Sequence, residues 1–400
     1  MTLPAKATHQ QTRAHNQGLV LRALYDQGPV SRADIARLTG LTRTTVSELV
    51  AEFIAEGLAR EVGRGPSSGG KAPILVEVDG DARHVIGLDL GEQAFTGAIV
   101  NLHGSIRRTA SQPIGGRDGD EALAALYRLL DELVGSERGA LLGIGIGTPG
   151  IVDPESGTII WAVNLDWQDL PLGKLLRDRY GVPTYVANDS RAAALAESLF
   201  SAERRSSNLI AIKVGNGIGA GLVLNGDLFH GDSFGAGEIG HIGLVDDGEQ
   251  CRCGRFGCLE TVASSRAILA RAVEAGRDDP SGLLGSRLRE SGELTLDDIR
   301  AGLDVGDEPT RRIVVAAGRF LGQAAASLVG ALNVNQIVLI GAVAALGEPW
   351  LDAVRDEMQR RSLALLNGET RIELGRTEHD VVLGASALLM TRELGLAPVR

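Results

Sequence analysis

All three cysteines of the chain, Cys251, Cys253 and Cys258, follow His241 in the pattern His-x9-Cys-x-Cys-x4-Cys. Three thiolates and one imidazole complete the tetrahedral set of a structural Zn²⁺ site and leave no open position for a catalytic water. One structural zinc ion per chain, held by His241, Cys251, Cys253 and Cys258, is therefore expected, with Gly254 and Gly257 supplying sharp turns. The spacing is not Cys-x-x-Cys, which argues against a redox pair. Three unligated thiols are the plainer alternative, but packing alone does not explain their clustering. An odd, clustered set also argues against a disulfide scaffold and for a reducing, cytoplasmic compartment.

The length, 400 residues with 44% apolar side chains, suits two to three domains with separate cores. Glycine occurs 53 times, roughly twice the ordinary ~7% share, without a collagen period, which suggests tight turns and close backbone approaches. A net charge of −11 would repel nucleic acid if it were evenly spread. It is not: residues 1–75 carry nine basic and six acidic side chains, net +3, which leaves −14 for the remainder. Met1 to Gln17 is polar and lacks the apolar region of a secretory signal. Phe320 to Gly347 carries no charge and is long enough to span a bilayer, but Gln323, Ser327, Asn333, Asn335 and Gln336 interrupt it. A buried helix followed by a buried strand is the better reading, and no membrane partner is expected.

The basic front of the chain reads as a DNA-binding head. Leu19, Val20, Leu21, Leu24 and Tyr25 predict a helix from His15 to Gln27, stopped by Gly28-Pro29. Ser31 and Asp34 have the spacing of a capping box that opens a short second helix. Thr42 can cap a third, with Val46, Leu49, Val50, Phe53 and Ile54 on one stripe and Gly57 past its end. Its other face begins Arg43, Thr44, Thr45, Ser47, Glu48. Strands over 58–62 and 72–76 then frame a wing. These are the parts of a winged helix-turn-helix, and Arg32, Thr42, Arg43, Thr44, Thr45, Ser47, Arg64 and Lys71 are its candidate DNA contacts. A three-helix docking module with a merely solvated face is the alternative; the hairpin and the local positive charge favour DNA.

From His84 onward, apolar runs alternate with helical patterns, as in α/β folds. Strands are expected over 85–91, 95–100, 142–146, 184–186, 209–214, 220–224 and 336–340. Helices are expected over 120–134, 191–197, 311–332 and 350–365, with a last one from Leu383. Two strand-rich halves imply two lobes around a ligand cleft. The division expected is a head over 1–78, a first lobe over 79–200 and a second over 201–400 that includes the zinc segment 241–260.

Ordered motifs along the body carry a family resemblance. They are Asp89-Leu90-Gly91, Gly147-Thr148-Pro149-Gly150, Asn164-Leu165-Asp166-Trp167, Asn188-Asp189, the glycine loop 215–221, Gly237-Glu238-Ile239-Gly240-His241 and the segment 251–260. Together they resemble the ROK family of bacterial sugar kinases and sugar-responsive repressors. The resemblance covers roughly residues 14–395. It implies an actin-like (ribonuclease H-like) two-lobed α/β sugar-kinase fold, and in the repressor branch an N-terminal winged helix-turn-helix. It also implies a sugar held by Asn164, Asn188, Asp189, Glu238, His241 and Glu260. Carboxylates and amides suit adjacent hydroxyls, and His241 could hold zinc through one ring nitrogen and the sugar through the other.

In kinases of this family the equivalent of Asp189 is the general base. The nucleotide side departs from the kinase pattern: Asp-x-Gly-Gly-Thr-Lys is Asp89-Leu90-Gly91-Glu92-Gln93-Ala94 here, which puts a carboxylate where the γ-phosphate should approach. The adenosine-side Gly-Gly-Gly reads Gly341-Ala342-Val343, whose side chains would crowd a nucleotide. The expectation is therefore a non-enzymatic, sugar-responsive repressor, with an ATP-dependent sugar kinase bearing a DNA-binding appendage as the alternative. Its expected partners are operator DNA, read as a homodimer or homotetramer, and a small sugar or sugar-phosphate effector. Sugar would close the cleft, respace the DNA heads and release the operator.

Overall fold

The computed structural model describes residues 9–66, 72–135, 137, 141–200, 207–375 and 379–396. The head contains α1 (His9–Gln27), β1 (Val30–Ser31), α2 (Arg32–Thr39), α3 (Arg43–Ala55), β2 (Ala59–Arg64) and β3 (Ile74–Val78). α1 starts six residues before the apolar pattern does, because residues 12–15 are exposed and leave no periodic trace. Ser31 and Thr42 cap α2 and α3 by accepting from the backbone N–H groups of Asp34 and Thr45. Val46, Leu49, Val50 and Phe53 turn inward. β1, β3 and β2 form one sheet in that order. The wing strands lie later than expected: Leu58 is buried in the turn before β2, and Pro73, with no N–H to donate, delays β3 to Ile74.

The first lobe opens with an antiparallel meander, β4 (His84–Leu90), β5 (Ala94–Asn101) and β6 (Ile106–Pro113), followed by α4 (Gly119–Gly135). β7 (Leu141–Thr148) returns parallel to β4. A small sheet of β8 (Ile151–Asp153), β9 (Thr158–Ala162) and β10 (Trp167–Leu170), then α5 (Leu172–Tyr180), leads to β11 (Thr184–Asn188) and α6 (Asp189–Phe200). The main sheet runs β11-β7-β4-β5-β6.

The second lobe repeats this plan with β12 (Leu209–Val214), β13 (Ile218–Leu224) and β14 (Asp227–Leu228). A helical layer follows: α7 (Glu260–Ala263), α8 (Ser265–Asp278), α9 (Leu283–Ser291), α10 (Leu296–Asp304) and α11 (Glu308–Leu332). Then come β15 (Gln336–Ile340), α12 (Glu348–Arg361), α13 (Ala364–Asn367), β16 (Arg371–Leu374) and α14 (Asp380–Leu394). Its sheet runs β14-β13-β12-β15-β16, the order of the first lobe. α11 is long and apolar enough to cross a membrane, yet Val314, Leu321, Ala325 and Val329 bury it in the second-lobe core.

The chain's end returns to the first lobe. α14 lies against β4, β7, β11 and α6, so the last helix of 201–400 packs on the first lobe. The packing is close: a Cβ on Gly384 would sit 1.6 Å from the Ala192 carbonyl oxygen of α6. The glycine excess is spent partly on such approaches. Farther along, Leu389, Met390 and Leu396 share one apolar cluster with Val85 and Leu102 of the first lobe and with Val20, Leu24 and Val76 of the head.

Candidate sugar cleft, metal knuckle and DNA face

The knuckle forms between β14 and α7. His241, Cys251, Cys253 and Cys258 offer ligand atoms that all lie within 4.8 Å of one another. Cys253 Sγ is 3.8 Å from Cys258 Sγ, and His241 Nδ1 is 3.6 Å from Cys251 Sγ. A tetrahedron with Zn–S bonds of ~2.3 Å has edges of about 3.8 Å, so the donor set fits a tetrahedral ion in kind and size. Burial, and then the crowded Cys253 and Cys251 thiols, push the Cys258 thiol up to about 12. A bound cation would reverse that by favouring thiolates. Gly257, at φ +68°, brings its backbone so near Val245 that a Cβ would lie 1.9 Å from that carbonyl oxygen. Of the two ring nitrogens of His241, Nδ1 is the one in contact with a thiol, that of Cys251.

Beside the knuckle, a chain of hydrogen bonds crosses between the lobes. Arg252 donates to Asn164 Oδ1 at 3.3 Å; the Asn164 amide donates to Glu92, and so does the amide of Asn216 from the second lobe. Ser265, at the start of α8, donates to Asn216 Oδ1 at 2.8 Å. Glu92, expected to face an incoming phosphate, is thus held by two amides on opposite sides of the cleft. Glu260 accepts from the Ile218 N–H at 3.2 Å and from Arg266 at 2.9 Å. Burial raises the pKa of Glu238, which also feels His241, Asp189, Arg191 and Glu260. Asn164, Glu238, His241, Glu260 and Asp189 therefore belong to one neighbourhood contributed by both lobes.

Asn188 and Asp189 are committed differently. The buried Asn188 donates to the Gly150 carbonyl at 3.0 Å and accepts from the Ser190 and Arg191 N–H groups, capping α6. Asp189 Oδ1 accepts from the Ser190 N–H at 2.7 Å, and Oδ2 lies 2.7 Å from Lys213 Nζ. Asp89 shares this floor. Burial, opposed by Lys213, lifts its pKa to about 6. Val343, expected to crowd a nucleotide, packs into the second-lobe core instead.

Sequence reasoning passed over Lys213, Asn216, Arg252, Arg266 and Asp380. Lys213 had a visible signal, a lone charge in the apolar strand Leu209–Val214. The others are single polar residues in turns or at helix starts, where such residues are ordinary.

On the head, Arg43, Thr44 and Ser47 are exposed along the start of α3, and Arg64 is exposed at the end of β2. Arg43 and Arg64 carry no ion pair among the described residues. Arg32 is bound to Glu61 at 2.9 Å. Thr42 and Thr45 bond each other at 2.9 Å in the cap, so their hydroxyls are partly used. Lys71 lies outside the described residues.

Residues 85–392 match the ROK family and residues 12–66 match the MarR family. The chain is 33% identical over 393 residues to the xylose repressor of Caldicellulosiruptor bescii, covering 96% of this chain and 97% of that protein. It is 29% identical over 377 residues to the DNA-binding transcriptional dual regulator NagC of Escherichia coli, covering 94% and 92%. Among solved structures, a ROK family transcriptional regulator, a homolog of the E. coli MLC protein, superposes with a TM-score of 0.84 at 26% identity, covering 96% of this chain and 98% of the other. A ROK family glucokinase from Streptomyces griseus, in complex with glucose and AMPPNP, superposes with a TM-score of 0.68 at 28% identity, covering 76% and 98%. The glucokinase match leaves about a quarter of this chain uncovered, and the regulator match extends over almost all of it. A two-lobed body with a MarR-type head, matched over nearly its full length by regulators, makes this chain a member of the ROK family.

Proposed function

We propose that the protein is a sugar-responsive transcriptional repressor that holds operator DNA through α3 and the wing and releases it when a sugar occupies the cleft. Relatives named for xylose and N-acetylglucosamine support the effector class. The observation that carries the reading is the path of α14. It begins with Asp380, which feels Lys213 and Asp189 at the cleft floor. It ends among the apolar side chains that seat α1. A packed helix of 15 residues with one end at the ligand and the other under the DNA head can transmit a shift between two discrete arrangements.

The sugar lies between Asn164, Glu238, His241 and Glu260, with Asp189 as an acceptor at its far side and Asn188 fixing the strand end beneath. Zn²⁺ in the knuckle orients His241 and is structural. The active species is a homodimer or homotetramer, because two heads on paired half-sites supply the affinity one small basic face lacks. It works in the cytoplasm. Kinase chemistry is disfavoured by Asp189, whose two oxygens are held by Lys213 and the Ser190 N–H.

Fluorescence anisotropy on the DNA upstream of its own gene tests this, with xylose, glucose and N-acetylglucosamine, free and phosphorylated. Binding is expected to fall steeply with salt, and one of these ligands is expected to weaken it at least tenfold. Arg43→Ala should weaken binding on all sequences and lower the salt slope by about 0.9. Arg32→Ala should do less, because Glu61 already holds that guanidinium. Binding that ignores every ligand, or the absence of any duplex binding, would overturn the reading.

A further inference from the structure

Lys213 is the lone charged residue of β12 and stands second from the strand's end, the place Asp89 takes in β4. Its ammonium lies 2.7 Å from Asp189 Oδ2 at the head of α6. Asp89 from β4 and Asp380 from the start of α14 are the other carboxylates acting on it. Three acids from three separate elements thus converge on one cation at the cleft floor. Burial alone would favour a neutral amine, but the pull of Asp189, then Asp89 and Asp380, outweighs it and holds Lys213 protonated above its ordinary range. One oxygen of this cluster is left over: Asp89 Oδ1 is buried and has no hydrogen-bond partner.

We propose that Lys213 is the resident cation of this cluster, filling from within the chain the place that a divalent metal ion would take among Asp89, Asp189 and Asp380. Carboxylate oxygens from separate elements, one of them unfilled, are the ligand set of a hard divalent ion. A tethered ammonium satisfies the same acids without one and cannot dissociate.

Two consequences follow. Lys213 is a positioning residue: it fixes Asp189 as a charged acceptor shared by the two lobes, so a ligand hydroxyl meets an acceptor there and not a free base. The floor is also complete without added metal, so the protein's ligand response at this position is independent of magnesium and nucleotide.

Manganese(II) is the probe, because its free and bound forms differ in the electron paramagnetic resonance spectrum. The full chain, loaded with zinc, is titrated with MnCl2 as wild type, Lys213→Arg, Lys213→Ser and Lys213→Ser/Asp89→Asn, and each form is melted with and without MnCl2. Wild type and Lys213→Arg should leave Mn²⁺ free and keep their melting temperatures. Lys213→Ser should take up one Mn²⁺ per chain, bind it roughly tenfold or more tightly than wild type, and melt higher when it is present. Adding Asp89→Asn should remove that uptake. A residue that only fills space would not create manganese binding when removed. If Lys213→Ser does not fold, Lys213→Gln, nearer in length, carries the same measurement. The proposal is overturned if wild type binds Mn²⁺ as well as the serine or glutamine variant does. A folded variant lacking Lys213 that takes up no Mn²⁺ also overturns it.

Discussion

The two lobes lay their strands in one order, and each first strand ends in a charged residue, an apolar residue and a glycine. In the first lobe these are Asp89-Leu90-Gly91, and in the second Lys213-Val214-Gly215. From equivalent places the frame presents an acid on one side of the cleft and a cation on the other. The insertions differ as well. The first lobe spends its extra chain on the small sheet β8-β9-β10, whose crest carries Asn164. The second spends it on the metal knuckle, which carries Arg252, and the two meet in the Arg252–Asn164 hydrogen bond. A shared backbone plan thus sets where residues face each other, and single side chains at matched positions decide what the cleft does.

The comparison breaks most completely where the lobes share structure. α6 and α14 lie together against the first-lobe sheet, and α6 also packs on β12 and β13 of the second. Gly384→Val would drive a branched side chain into the Ala192 carbonyl, a backbone atom that cannot rotate away. Its cost should be about 3 kcal/mol or more. Urea unfolding should show a large drop or no folded protein at all. Gly330, exposed in α11 with nothing within 4 Å of its missing Cβ, is the control. There Gly330→Ala should raise stability by about 0.5–1 kcal/mol, because only helix propensity changes.

The next largest effect separates the lobes by their insertions. Cys258→Ser removes one candidate ligand of the knuckle, and the chain's other two cysteines lie in the same knuckle. Metal content by mass spectrometry should fall from one zinc per chain toward none. A 30- to 100-fold weaker site corresponds to about 2–3 kcal/mol of lost stabilisation, read as a lower melting temperature. Full metal content in the variant would remove the cysteine from the ligand set.

What the sequence made legible follows the same contrast. Strands 209–214 and 336–340 are legible to the residue because both are buried runs with sharp polar ends. β6 is not, since Ile106–Pro113 is a half-exposed edge strand carrying Arg107 and Arg108, without the alternation that marks a one-sided strand. α14 announces itself as a helix, but nothing in its periodicity says which lobe it covers. Close fit to a distant carbonyl is a property of the folded pair, not of either segment. At the site, the four candidate metal ligands are local in sequence and could be read as a set. The Glu92 bridge reaches Asn216 across 124 positions, and the Lys213 cluster draws in Asp89 and Asp380 from opposite ends of the body, so no spacing rule reaches that far.

The Glu92 bridge is the direct measure of how strongly the lobes are coupled through side chains. Glu92→Ala and Asn216→Ala, singly and together, form a double-mutant cycle across the cleft. A charge-assisted hydrogen bond between partly buried partners should give a coupling of about 1–1.5 kcal/mol in unfolding free energy. Additive single effects would mean that the lobes meet there without mutual stabilisation. Asn164→Ala, cycled with Glu92→Ala, separates the bond within the first lobe from the one across it.

The smallest expected effect concerns the acid half of the matched pair. Asp89 titrates at about 6 in the folded chain against an ordinary 3.8, raised by burial and by Asp189 and Asp380 and opposed by Lys213. Between those two values the folded chain keeps a proton that the unfolded chain has released, so the folded state binds more protons there. Stability contributed by this group should therefore be greatest near pH 4, decline as pH rises to about 6, and level off above. Lys213, Asp189 and Asp380 share the titration with Asp89, so the change carried by this group alone should be about 0.5–1 kcal/mol. Urea midpoints of wild type and Asp89→Asn, followed from pH 4 to pH 7, read it out, because carboxylates outside this cluster contribute equally to both curves. Convergence of the two curves at low pH and divergence above pH 6, with the asparagine form the more stable, would place the cost of the cleft's acid half on Asp89. Parallel curves would mean that Lys213 already neutralises it in full.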